Sequence, residues 1–113
     1  MMDTAGHIKL DRILLGKENT KVMMEITDGK PFRIFAPGTN NCYFFMDPLT
    51  KKEYKLLSGE GIKFNETVTG PIKFTLTFER LDNGIKLIHL IGGKEALVPG
   101  RTMVGFYDIN LEK

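Results

Sequence analysis

Residues Pro71-Ile72-Lys73-Phe74-Thr75-Leu76-Thr77-Phe78-Glu79-Arg80 alternate apolar and polar side chains without a break. Only an extended strand sends successive side chains to opposite faces; a helix would scatter Ile72, Phe74, Leu76 and Phe78 around its circumference. The stretch therefore predicts a strand with one buried and one wet face. Each of those four side chains adds about 1.5–3 kcal/mol when fully buried.

The same message recurs along the chain in shorter pieces. In 7–15, Ile8 and Leu10 share one phase and Ile13 and Leu15 the other, a shift around Asp11-Arg12 that a β-bulge or a strand bend would accommodate. Gly16-Lys17-Glu18-Asn19 supplies turn residues, and Val22, Met24 and Ile26 complete a hairpin. Asp28-Gly29-Lys30-Pro31 predicts a second turn and Phe32-Arg33-Ile34-Phe35 a restarted strand. After the break at Pro37-Gly38-Thr39-Asn40-Asn41, the apolar run 42–46 is expected as a strand covered on both faces at the centre of a sheet, unless one of its faces is functional.

Asp47-Pro48-Leu49-Thr50-Lys51 turns that run into Glu53-Tyr54-Lys55-Leu56, a second hairpin. Ser58-Gly59-Glu60-Gly61 is expected as a loop that crosses to another sheet before Ile62 and Phe64 dock into the core, and 65–70 as a polar connection. Leu81-Asp82-Asn83-Gly84 predicts a turn between the strand at 72–78 and one at 85–91, with a last strand at 104–111. The connection 92–103 has room for a short helical turn.

Nowhere do apolar residues keep helical spacing beyond about two turns. The expected fold is all-β: an antiparallel immunoglobulin-like β-sandwich of seven to nine strands, with a small β-barrel as the alternative. A chain of 113 residues suits one domain, 1–113, with 1–6 expected to be flexible.

Sixteen basic and fourteen acidic residues give a net charge of +2, with signs interspersed instead of forming the stripe that would track a phosphate backbone, so no nucleic-acid partner is expected. Cys42 is the only cysteine, so no intramolecular disulfide can form. No apolar run reaches the roughly 18 residues of a transmembrane segment. The first seven residues lack the basic and apolar regions of a secretory signal, so the chain is expected outside the cytoplasm if a leader has been removed and in the cytoplasm otherwise.

The residues that carry enzyme chemistry do not assemble into a pattern. His7 and His89 have no neighbours at metal-ligand spacing, and His89 sits in a strand between Ile88 and Leu90. Cys42 lies in an apolar run without a local histidine, and Ser58 is outside any Gly-x-Ser-x-Gly elbow. Gly59-Glu60-Gly61 lacks the third glycine of a dinucleotide fingerprint, and Gly92-Gly93-Lys94 lacks the rest of a phosphate loop. Lys51, Lys52 and Lys55 read as a solvated edge. No catalytic residue, metal or cofactor is assigned.

Tyr43 and Phe45 are the candidate binding residues. If Cys42, Phe44 and Met46 point inward, the two aromatics stand side by side on the outer face, where with Asn40 and Asn41 they could stack on a carbohydrate, hold a small ligand or anchor a protein partner.

Tyr54-Lys55-Leu56, Gly61-Ile62, Phe74-Thr75-Leu76-Thr77-Phe78, Leu81, Ile88 and Ile91 together resemble small immunoglobulin-like β-sandwich accessory domains of bacterial extracytoplasmic proteins, of the Bacteroidetes type and the telokin-like secreted antigens. The resemblance covers roughly the second half of the chain and implies an accessory or binding module with no catalytic residues. The expected function is a noncatalytic protein-interaction domain; the alternative is a small-ligand or carbohydrate-binding sandwich with an exposed aromatic face.

Overall fold

A computed structural model describes residues 2, 6, 8–29, 31–39, 41–92 and 105–111. The described residues form strands and turns, without a helix. In chain order the strands are β1 (Ile8–Leu15), β2 (Asn19–Ile26), β3 (Pro31–Arg33), β4 (Phe44–Met46), β5 (Glu53–Glu60), β6 (Thr67–Thr69), β7 (Ile72–Glu79), β8 (Leu87–Ile91) and β9 (Gly105–Asn110). Seven of them make one antiparallel sheet, ordered β1-β2-β7-β5-β4-β8-β9 and curled into half a barrel; β3 and β6 pair as a small second sheet.

The alternating stretch takes its predicted place as β7. Its register against β2 sets Leu76 opposite Val22 and Phe74 opposite Met24, all four buried. Along β1 the register skips one residue between Leu10, opposite Met24, and Arg12, opposite Met23. Asp11 is the extra residue of the expected bulge, and it returns Ile13 to the core side opposite Val22. Thr20 is the polar group sealed in this layer; its Oγ1 accepts the main-chain N–H of Leu81 at 3.2 Å, so the buried oxygen has a hydrogen-bond partner.

The curl is made at β5. Its first half pairs with β4, Tyr54 opposite Phe45; its second half pairs with β7, Leu56 opposite Phe78. Between them the register slips by one at Leu57, so a single strand leaves one neighbour and joins another through a bulge. Two leaves result, β1-β2-β7 and β4-β8-β9, joined by β5 and closed over a common core. Phe45 from one leaf meets Phe78 from the other edge-on, ring centroids 4.6 Å apart.

Several sequence expectations are corrected. Ser58, Gly59 and Glu60 belong to β5, not to a loop, and the chain does not cross to another sheet there. Gly59 serves close packing: a Cβ on it would lie 2.6 Å from the Phe64 ring, which folds over the strand. The turn glycine is Gly61, at φ 81°.

The strand expected at 32–35 is instead β3, which begins at Pro31, a strand-end position that tolerates the missing N–H. The supposed polar connection 65–70 contains β6, and the strand expected from Ile85 begins at Leu87. From residue 93 on, the connection expected at 92–103, with its helical turn, lies outside the described residues.

Candidate functional site

Two turns meet at one end of the half-barrel. In the first, the Asp47 N–H donates to the carbonyl of Lys52 at 2.9 Å, the Lys51 N–H donates to the carbonyl of Asp47 at 2.8 Å, and the Leu49 N–H donates to Asp47 Oδ1 at 2.8 Å. These bonds, with Lys51 at φ 65°, hold the turn tightly and thrust Leu49 into solvent at 91% exposure. In the second turn, Asp82 Oδ2 accepts both the Lys52 Nζ, at 2.8 Å, and the Tyr54 hydroxyl, at 3.0 Å. The Lys52 ammonium also lies 5.1 Å from the centre of the Tyr54 ring.

The electrostatics of this knot are mutual. The hydrogen bond from Lys52, seconded by that from Tyr54, holds the Asp82 carboxyl below its ordinary range. The bond to Asp82 pushes the Lys52 ammonium upward, and burial, then Asp82, pushes the Tyr54 phenol upward. Asp82 is thus fixed as a carboxylate and the other two as proton holders. That suits a fastener between turns better than a general acid or base.

An apolar furrow runs past the fastener. Between the two turns lies a cleft of about 700 Å³ walled by Pro48, Leu49, Ile85 and Leu87, with Lys52 and Asp82 beside it. Ile85 also walls a second cleft with Leu15, Leu81 and Leu111, edged by Lys17 and Arg80. Leu15 and Leu111 continue into a third, between the sheet's two edges, where Leu10 and Ile13 of β1 face Ile109. Shared walls make the three one surface. Leu15 at 58% exposure and Leu87 at 44% are among its most open apolar groups after Leu49.

Neither predicted aromatic is on this surface, and neither is exposed. Tyr43 is 3% accessible and Phe45 0%, so the expected outer-face platform is corrected: Phe45 points into the core. Phe44 takes the opposite face, opposite Lys55 and Ile91, and is itself buried. Both parities of the 42–46 run are apolar, so alternation could not choose between them. Asn41 is half-buried; Asn40 and His7 lie outside the described residues.

His89 Nδ1 accepts the main-chain N–H of Asp108 at 3.0 Å, and its ring stands edge-on to Tyr107. Of the lysine cluster, Lys52 is drawn to Asp82, while the Lys55 main-chain N–H donates to Glu79 Oε2 at 2.9 Å. Sequence reasoning missed Leu49, Leu87 and Leu15. The signal for the first was a leucine inside an otherwise polar turn; for the last, the pair Leu14-Leu15 at a strand end.

Among the described residues, no group of three or more histidine, cysteine, aspartate or glutamate side chains is placed to hold a metal ion, and no helix is long and apolar enough to cross a membrane. Comparison with family models, with curated proteins and with solved structures returns no match for this chain.

Proposed function

We propose that this chain is a noncatalytic accessory domain that binds a protein partner along the furrow. The observation that carries the reading is Leu49, 91% exposed at a hairpin tip beside the most apolar of the clefts. Covering a leucine of this kind is worth about 1.5–3 kcal/mol, and interfaces concentrate their affinity in a few such anchors. Lys17, Lys52, Arg80 and Asp82 stand at the edges of the same surface, as the polar rim of an interface does. Two leaves closed over one core support reading the domain as a sandwich of the immunoglobulin-like accessory class.

A photo-crosslinking residue placed at position 49 or 87, compared with one at position 73 outside the furrow, tests the reading in extracts of the native source. The expected outcome is one protein captured from both furrow positions, lost when Leu15→Asp is added, and not captured from position 73. Equal capture from all three positions would sink it.

A further inference from the structure

Asn83 is the one asparagine of this sequence followed by a glycine; the others precede Thr20, Asn41, Cys42, Glu66 and Leu111. Asn83 and Gly84 form the exposed turn after β7, with Gly84 at φ 84° and open space where a Cβ would stand. Among the described residues nothing accepts a hydrogen bond from the Gly84 N–H. The Gly84 nitrogen is therefore uncrowded and free to approach the side chain that precedes it.

Arg80 prepares that side chain as an electrophile. Its Nη2 donates to Asn83 Oδ1 at 3.1 Å, and because a guanidinium carries donors only, the contact turns the oxygen toward Arg80 and the amide nitrogen away from it. A charged donor on a carbonyl oxygen draws electron density from the carbon, and the bond strengthens as negative charge collects on the oxygen. Arg80 also interacts electrostatically with the neighbouring Asp82 carboxylate, which draws the guanidinium to this turn.

We propose that Asn83-Gly84 is a self-modifying site, at which the Gly84 main-chain nitrogen attacks Cγ of Asn83 while Arg80 steadies the oxygen on which charge develops. Water or hydroxide takes the proton from the Gly84 nitrogen as its bond to Cγ forms. The bond from Cγ to the side-chain nitrogen then breaks, and ammonia leaves with a proton from solvent. Water opens the resulting succinimide at either carbonyl. Attack at Cγ gives aspartate; attack at the main-chain carbonyl gives isoaspartate, with the chain routed through Cγ and one carbon longer. The net change is one amide and one water becoming one acid and one ammonia.

Asn83 and Gly84 wall the first two clefts of the furrow. Either product sets a new carboxylate next to Asp82, and isoaspartate also lengthens the backbone beside the group that fastens Lys52 and Tyr54. The reaction thus alters the proposed binding surface as the protein ages. That consequence rests on the protein-binding reading of the furrow; the chemistry does not.

The test incubates the full-length protein in mildly alkaline buffer at body temperature for days. A lysine-specific protease then releases residues 74–86, bounded by Lys73 and Lys86, for mass spectrometry with electron-transfer fragmentation. The result expected is that this peptide gains the mass of an acid over an amide well before any other asparagine-containing peptide, with isoaspartate the larger product. Arg80→Ala, at an exposed position, should slow the conversion about three- to tenfold, the worth of one exposed hydrogen bond that strengthens along the reaction. Asn83→Gln, whose ring would be one atom larger, should abolish it. Amide shifts of the aged protein should gather at 81–87 and at Lys52 and Tyr54.

Conversion confined to protein unfolded in urea would overturn the proposal, since the folded turn would then block the attack. Equal rates for the parent and Arg80→Ala would overturn the part given to Arg80. The mass spectra need no partner, so their failure is distinct from a failure of the crosslinking at positions 49 and 87.

Discussion

The main-chain N–H of Asp108 donates to Nδ1 of His89 at 3.0 Å, across a place where the β8–β9 register slips. Ile88 faces Ile109 and Leu90 faces Phe106, so Tyr107 and Asp108 together stand opposite the single residue His89. Asp108 sits at φ 54°, which turns its amide toward the ring.

A nitrogen that accepts a hydrogen bond carries no proton, so the neutral His89 ring should hold its hydrogen on Nε2. Long-range ¹⁵N correlation spectra should show Nδ1 unprotonated. His89→Ala should cost about 0.5–1.5 kcal/mol of stability as the bulge amide loses its acceptor. A neutral ring that carries its hydrogen on Nδ1 would contradict this geometry.

Phe45 and Leu49 are four residues apart and should respond oppositely to truncation. Phe45→Ala empties a site in contact with Phe78 and should cost about 3–5 kcal/mol by urea denaturation. Leu49→Ala, at an exposed turn tip, should stay within about 0.5 kcal/mol of the parent protein. A large loss at Leu49 would place it inside the fold instead of at a contact surface.

The fastener at Asp82 predicts a pH response with a definite sign. Its folded pKa lies below the ordinary value of 3.8, so its contribution is present above that value and lost as pH falls through the lower, folded one. The difference in urea midpoint between the parent and Asp82→Asn should hold from neutral pH to about pH 5 and shrink below about pH 4. At the alkaline end, the raised Tyr54 and Lys52 reverse the sign: their contribution is present below 10.0 and 10.5 and disappears as pH climbs through the folded values. Tyr54→Phe should remove part of that alkaline loss.

Gly105 and Gly29 separate close packing from open space. A Cβ on Gly105 would lie 2.4 Å from the carbonyl oxygen of Leu90, which is main chain and cannot swing aside, whereas one on Gly29 meets nothing within 4 Å. Gly105→Ala should cost about 1–3 kcal/mol, and Gly29→Ala should be neutral or stabilise by up to about 1 kcal/mol. Thermal melts of both variants decide this.

What could be read in the chain beforehand follows from how many residues each signal needs. Alternation over 71–80 and the phase shift at Asp11 are local and redundant, and β7 and the bulge in β1 lie where they were expected. Gly59 misled because a glycine under an aromatic ring and a glycine in a turn look alike until the ring at Phe64 is placed. The face chosen by Phe45 depends on which leaf covers it, and the run 42–46 is apolar on both sides. The furrow draws walls from 10–15, 48–52, 81–87 and 109–111, a juxtaposition that no single segment encodes.

The handover at β5 has a further consequence for how the molecule comes into being. The leaf β1-β2-β7 takes its strands from both sides of β5 in the chain, as does β4-β8-β9, so neither leaf is a contiguous piece that can mature on the ribosome while the other is still being made. Contacts such as Thr20 with Leu81 must close loops of 61 residues before they reward the chain. Such a topology belongs to proteins that fold in milliseconds to seconds, and the facing edges of β4 and β7 stay unguarded until β5 has paired with both.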